Sequence, residues 1–179
     1  MTWNHNNWTV YAATLFITIA VLVAGQLVWN NYGIAKPLNK SMQDIPGVEG
    51  ATWNEAGKNS DGITITVTLG QVADLQKTYN QIMSTSKKIL GRRSFSVILD
   101  DHRTPELESL YYDIHYYVQE AITTGNFAAM ADSIKAHART AQVEARVYVD
   151  AKYVYVELTK GQTALYSVIP RQSSSQEVK

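Results

Sequence analysis

Residues 62–99 show two hydrophobic periods in succession. Apolar residues first alternate with threonines, which predicts a strand with one buried face; they are Ile63, Ile65, Val67 and Leu69. Between Val72 and Leu90 the apolar residues recur at helical spacing, and Gly91 supplies a stop signal. The segment SFSVILD then returns to alternation, with Ile98 opposite Phe95, Val97 and Leu99. The pattern predicts strand, helix, strand.

Two helices follow this unit. Thr104 is suited to cap a helix start, and Pro105 is suited to its first turn. The apolar stripe from Leu107 to Ile122 keeps helical spacing until Gly125, and Asn126 can cap a second helix. We therefore expect an αα element.

Residues 143–169 alternate again and predict three strands joined by two hairpins. The apolar faces match if Val147 lies opposite Val154 and if Val156 lies opposite Leu165. The predicted fold class is α+β: one mixed-sheet domain of order β-α-β-α-α-β-β-β, with helices packed on one face, preceded by a single N-terminal transmembrane helix.

That transmembrane prediction rests on the absence of charged residues from Met1 to Ala35. The apolar centre of this run, from Val10 to Trp29, has the ~20 residues that a helix needs to cross a bilayer. Aromatic residues flank it and are typical of membrane interfaces; they are Trp8, Tyr11, Trp29 and Tyr32. A cleaved export signal, which the missing basic start disfavours, and a buried helix are the alternatives.

Two arguments disagree on which side of the membrane the domain lies. Lys36 and Lys40 follow the predicted span and no Lys or Arg precedes it, which favours a cytoplasmic domain. A single N-terminal anchor of bacterial type more often presents its domain outside. We expect a single-pass cell-membrane protein with an extracytoplasmic domain.

These patterns divide the chain into five parts. They are a short tail over residues 1–8, the anchor over 9–30, a linker over 31–61, the α+β domain over 62–171 and a disordered tail over 172–179. The linker is rich in Gly, Asn and Ser. Trp53 is its exception, because a large ring is costly to leave in water and is expected to dock.

Composition narrows the function. The 16 basic and 16 acidic side chains cancel, so no overall field attracts nucleic acid. The chain has no cysteine, which excludes disulfides, thiolate catalysis and cysteine metal sites. Phosphate-loop, dinucleotide-binding, serine-hydrolase and HExxH patterns are also missing from the sequence. We therefore predict no catalytic residues, no metal and no cofactor.

One loop gathers chemically active side chains. Asp100, Asp101, His102 and Arg103 follow a predicted strand and precede a helix, a position that often carries function. They form the candidate ligand loop. The alternative is a structural one, in which the carboxylates satisfy the turn and pair with Arg103.

Tyrosines form two further candidate surfaces. Tyr112, His115 and Tyr116 share a second stripe of the first αα helix. Tyr148, Tyr153, Tyr155 and Tyr166 fall on the polar face of the hairpins. Each group is either an interaction surface or a structural one, packed under other elements or laddered across strands.

These observations favour a membrane-anchored, non-enzymatic interaction or scaffold domain in a cell-envelope or membrane-associated assembly. Its expected partners are the lipid bilayer and a protein, either another chain or a second copy. The first alternative is a small-ligand or ion-sensing domain that uses the candidate ligand loop. The second is a metal-assisted hydrolase that depends on His102 and Asp101.

Overall fold

The structure, a computed structural model, describes residues 6–29, 36–55 and 62–171, with side chains over 10–25, 38–54 and 62–171. The helices are α1 (Asn6–Trp29), α2 (Lys36–Gln43), α3 (Leu75–Leu90), α4 (Pro105–Thr124) and α5 (Phe127–Thr140). The strands are β1 (Val48–Glu55), β2 (Gly62–Leu69), β3 (Ser94–Asp100), β4 (Glu144–Val149), β5 (Tyr153–Lys160) and β6 (Thr163–Pro170). The fold is α+β, and from β2 onward its element order matches the predicted one.

The strands form two sheets in the described residues, whereas one mixed sheet was predicted. In the first sheet, β1 pairs antiparallel with β2, and β2 pairs parallel with β3 across the α3 connection. In the second sheet, β4, β5 and β6 form an antiparallel meander. Alternation reports which face of a strand is buried and carries no information on which strands share a sheet, so the prediction of a single sheet was wrong.

The second sheet separates two hydrophobic cores. Its tyrosine-bearing face joins α2, α3 and the first sheet in one core, which contains Tyr155, Ile65 and Leu75. Its aliphatic face packs under α4 and α5 in the other core, where Val156 and Leu158 are buried. Both faces of β5 are therefore covered, and the helices do not all lie on one face as predicted.

The predicted linker over residues 31–61 is wrong in its central part. Residues 36–55 form α2 and β1, and Leu38 and Met42 of α2 are fully buried in the first core. Trp53 packs against the same core, as expected for a large ring. Strand β1 was not predicted because its segment contains Gly and Asn, which are rare in strands. Its stability comes from pairing with β2 rather than from local propensity.

Both hairpins differ from the predicted register by two residues. Val147 pairs with Val156 rather than Val154, and Leu165 pairs with Leu158 rather than Val156. Asp150 causes the first shift, because its Oδ1 accepts the amides of Lys152 and Tyr153 and so lengthens the turn. An even shift leaves every side chain on its predicted face.

The helix α1 requires a larger correction. Across the described residues, none of the helices combines the length and the apolar character that crossing a bilayer requires. The predicted transmembrane anchor over residues 9–30 is therefore wrong, together with the single-pass cell-membrane location and the extracytoplasmic placement that depended on it.

Some predictions fall on parts of the chain outside this description. Tyr11 is exposed, but the side chains of Trp8 and Trp29, and all of Tyr32, lie outside the described residues. The side chain of Lys36, most of the predicted tail over residues 1–8 and the predicted disordered tail over 172–179 also lie outside the described residues.

Candidate functional site

The structure uses Asp101 of the candidate ligand loop to join the loop to β6. The side chain of Asp101 is fully buried, and its two oxygens accept hydrogen bonds from Arg103 Nε (2.7 Å) and Nη2 (3.0 Å). Its Oδ2 also accepts the backbone amide of Tyr166 at 2.8 Å. This carboxylate is committed to the fold, in agreement with the structural alternative.

The other members of the loop are engaged in the same way. His102 Nε2 lies 3.1 Å from Glu49 Oε2 at the surface, and the His102 carbonyl accepts the amide of Ala164. Asp100 Oδ2 accepts the hydroxyl of Thr68 at 3.3 Å. Over the residues whose side chains are described, no group of three or more His, Cys, Asp or Glu side chains could hold a metal ion.

The tyrosines of the second sheet are core residues, so the predicted surface made of them is wrong. Tyr155 and Tyr166 are buried, and Tyr148 and Tyr153 are half-buried. The ring of Tyr79 on α3 meets those of Tyr153 and Tyr155 edge-on, with centroids 5.6 and 5.9 Å apart. The sequence placed these rings on one face correctly, but α3 and the first sheet cover that face.

Their hydroxyl groups are satisfied inside the fold. Tyr155 donates to Asp150 Oδ2 at 2.7 Å, and burial, followed by this bond, raises the pKa of Tyr155. Tyr166 donates to the carbonyl of Gly70 (2.9 Å) and accepts the amide of Val72 (3.2 Å). The two bonds of Tyr166 join the second sheet to the loop between β2 and α3.

The α4 tyrosines differ, because Tyr112 and Tyr116 remain 69% and 63% exposed. Their ring centroids lie 6.1 Å apart in an edge-on arrangement, and the neighbouring Tyr112 hydroxyl favours the protonated form of Tyr116 and raises its pKa. His115 is half-buried beside Tyr111, and its Nδ1 is enclosed without a partner. His115 therefore lies at the margin of the predicted stripe rather than on its exposed part.

Acidic residues accompany the two exposed tyrosines. The α4 segment contains Glu106, Glu108, Asp113 and Glu120 and no Lys or Arg. Glu106 pairs with Lys160, and Glu108 lies 3.9 Å from Arg103. At 100° per residue, Asp113 and Glu120 share the exposed side with the tyrosines. We call this surface the α4 face, defined by Tyr112, Asp113, Tyr116 and Glu120.

Sequence reasoning missed a polar cavity of about 380 Å³ beside the second sheet. Glu157 of β5 lines it and is 2% exposed, and its Oε2 has no hydrogen-bond partner among the described residues. Its Oε1 lies 3.7 Å from Arg146 Nη1 on β4. The other lining residues are Gln71, Val72, Gln142, Glu144, Thr159, Lys160 and Gly161.

Burial gives Glu157 an unusual proton affinity. Desolvation raises the pKa of its carboxyl above the ordinary range, and the charge of Arg146 and the amide of Leu75 oppose this only in part. In the sequence, Glu157 is a polar residue of an alternating strand, and this pattern predicts an exposed side chain. Its burial follows from the covering of the tyrosine-bearing face, which no local pattern reveals.

Comparison with known proteins gave no family to which these features could be referred. No protein-family model, no curated protein and no solved structure matches this chain.

Proposed function

We propose that this protein is a non-enzymatic interaction module that binds a basic segment of a protein partner through the α4 face. The observation that carries the proposal is the exposure of Tyr112 and Tyr116 within a helix surface that has acidic but no basic residues. Tyrosine is favoured at protein interfaces because it combines a large apolar area with a polar tip.

The charge of the surface defines the partner's chemistry. Among the described residues, no ion pair involves Asp113 or Glu120. An arginine or lysine placed over a tyrosine ring gains a cation–π interaction, and the adjacent carboxylates add attraction. A Lys- or Arg-containing segment therefore complements the α4 face.

The same charges disfavour self-association through this surface. A two-fold symmetric dimer places the same patch of both copies in contact. Asp113 and Glu120 of one copy would then meet those of the other, and like charges across an interface are unfavourable. A second copy is therefore a poorer occupant of the α4 face than a basic partner.

The ligand-sensing and hydrolytic alternatives have less support. Both depended on the candidate ligand loop, in which Asp101 is buried and saturated by Arg103 and the Tyr166 amide. His102 is held at the surface by Glu49 and has no second acidic or imidazole partner among the described residues. The loop geometry supports a structural role.

The proposal is tested with a defined basic probe. A fluorescent Arg-Ala repeat peptide is titrated with the full chain at low salt, and a Glu-Ala repeat of equal length is the charge control. We expect binding of the basic peptide only, weakening with added salt. Replacing both tyrosines (Tyr112→Ser with Tyr116→Ser) removes two cation–π contacts and lowers affinity by about 5- to 30-fold.

Matched controls lie on other elements. Ile98→Ser removes an exposed apolar side chain from β3, and Asp132→Asn removes an exposed charge from α5, so neither is expected to change binding. Unchanged affinity in the double tyrosine variant contradicts the proposal, and so does equal binding of the acidic peptide. Dimerisation abolished by the double variant, measured by sedimentation, identifies a second copy as the occupant instead.

A further inference from the structure

We propose that the cavity lined by Glu157 is a binding site for a small organic cation that carries N–H donors, such as a primary ammonium or a guanidinium group. The site lies on the tyrosine-bearing side of the second sheet, whereas α4 packs on the other side. It is therefore independent of the α4 face and of the proposed partner.

The unpartnered oxygen of Glu157 is the first argument. Nearly all buried polar atoms in proteins have a hydrogen-bond partner, because leaving a buried acceptor unpaired costs free energy. Oε2 of Glu157 is enclosed and lacks one in the described residues, and Glu157 lines a cavity of about 380 Å³. A donor that enters the cavity supplies the missing bond, and the cavity volume lies within the usual range for small-molecule sites.

The state of the neighbouring cations favours a donor over an acceptor. Arg146 donates through Nε and Nη2 to Glu144 Oε1 and through Nη1 to the carbonyl of Ala73. Lys160 Nζ bonds Glu106 and the carbonyl of Ala141. With these donors engaged, an anionic ligand would find few partners, whereas Glu157 Oε2 is an acceptor with no hydrogen-bond partner in the described part of the chain.

The ligand set also distinguishes an organic cation from a metal ion. Glu144 and Glu157 are the carboxylates that line the cavity, and the described side chains provide no group of three ligands suited to a metal. Two carboxylates and the amide groups of Gln71 and Gln142 suit the dispersed charge of an ammonium or guanidinium group better than the compact charge of a metal.

The experiment follows amide chemical shifts of the ¹⁵N-labelled full chain. The probes are n-propylammonium and methylguanidinium at up to about 20 mM, a range suited to weak fragment binding. Tetramethylammonium is the control, because it is a cation of similar size without an N–H donor. We expect saturable shifts at residues 71–72, 142–146 and 157–161 with the first two probes and none with the third.

A substitution tests the role of the carboxylate. Glu157→Gln keeps the side-chain shape and places an amide at the position of the unpaired oxygen, so we expect the affinity for both probes to fall at least tenfold. Glu108→Gln removes an exposed carboxylate from α4 and is expected to leave affinity unchanged. The spectrum without probe shows whether each variant retains the fold.

The wild-type titration decides the proposal even if the Glu157 variant does not fold. Shifts that are absent from residues 157–161, or that appear equally with tetramethylammonium, overturn it. Retained affinity in a folded Glu157→Gln protein overturns it as well. None of these outcomes bears on peptide binding at the α4 face.

Discussion

Tyr155 provides a sharp test of the conclusion that the sheet tyrosines belong to the core. Its ring is fully buried, and its hydroxyl donates to Asp150 Oδ2 at 2.7 Å. Tyr155→Phe removes this bond and little volume. A hydrogen bond to a charged acceptor contributes about 1.5–3 kcal/mol, and water can reach the half-buried Asp150 to offset part of the loss. We expect a loss of about 1.5 kcal/mol at pH 7.

The pH dependence identifies the charged partner. Burial raises the pKa of Asp150, but hydrogen bonds from the Tyr155 hydroxyl and from the amides of Lys152 and Tyr153 lower it by more. The net pKa therefore lies below the ordinary value. A carboxyl group of this kind contributes stability above its unfolded pKa of about 3.9, and the contribution is lost as the pH falls through the folded pKa. The effect of Tyr155→Phe is therefore constant above about pH 5 and shrinks in acid.

Urea unfolding followed by circular dichroism at pH 7 and pH 3 measures both effects. At pH 7, a loss of this size corresponds to about 3–6 °C in Tm. Tyr153→Phe is the matched control, because the Tyr153 ring packs edge-on against the neutral Tyr79 and its hydroxyl bonds no carboxylate among the described residues, so its loss has no acid dependence. A Tyr155→Phe protein as stable as wild type at pH 7, or one equally destabilised at pH 3, refutes the reasoning.

Three further predictions concern stability. Asp101→Ala removes the acceptor of the Tyr166 amide and of Arg103, and we expect the free energy of unfolding, measured in urea, to fall by about 3 kcal/mol. Gly47→Ala places a methyl group 2.6 Å from Val72 at φ 86° and should cost over about 2 kcal/mol, whereas Gly161→Ala, at φ 61° in open space, should cost about 1 kcal/mol. Equal losses would contradict the crowding argument. Burial, followed by the neighbouring Tyr153, raises the pKa of Tyr79 to about 12. The folded state therefore favours the neutral Tyr79, and this contribution to stability is complete below the unfolded pKa of about 10 and is lost as the pH rises toward 12. Tyrosinate absorbance and the unfolded fraction should therefore rise together in that range.

The helices of the domain could be predicted because their signals are local. Thr104 caps α4 by accepting the Leu107 amide, and Gly125 ends that helix in the left-handed conformation. Asn126 caps α5 in the same manner as Thr104. Each of these features depends on residues within one turn of the helix end, which the sequence displays directly.

Sheet organisation depended on contacts that the sequence does not display. Alternation placed Tyr155 and Val156 on opposite faces correctly, but it could not show that α3 covers the tyrosine side. Glu157 was missed for the same reason, since its burial results from packing between segments far apart in the chain. Among the predicted surface tyrosines, Tyr112 and Tyr116 stayed exposed because no described element packs over that side of α4.

The bonds of Tyr166 to Gly70 and Val72 join residues 96 and 94 positions apart. Strand β6 also places Ala164 and Tyr166 in one core and Leu165 in the other. During synthesis on the ribosome, neither core can be closed until this last strand has emerged. The nascent chain must therefore carry both cores incompletely covered until β6 emerges, and truncation before β6 should leave an aggregation-prone product rather than a smaller folded domain.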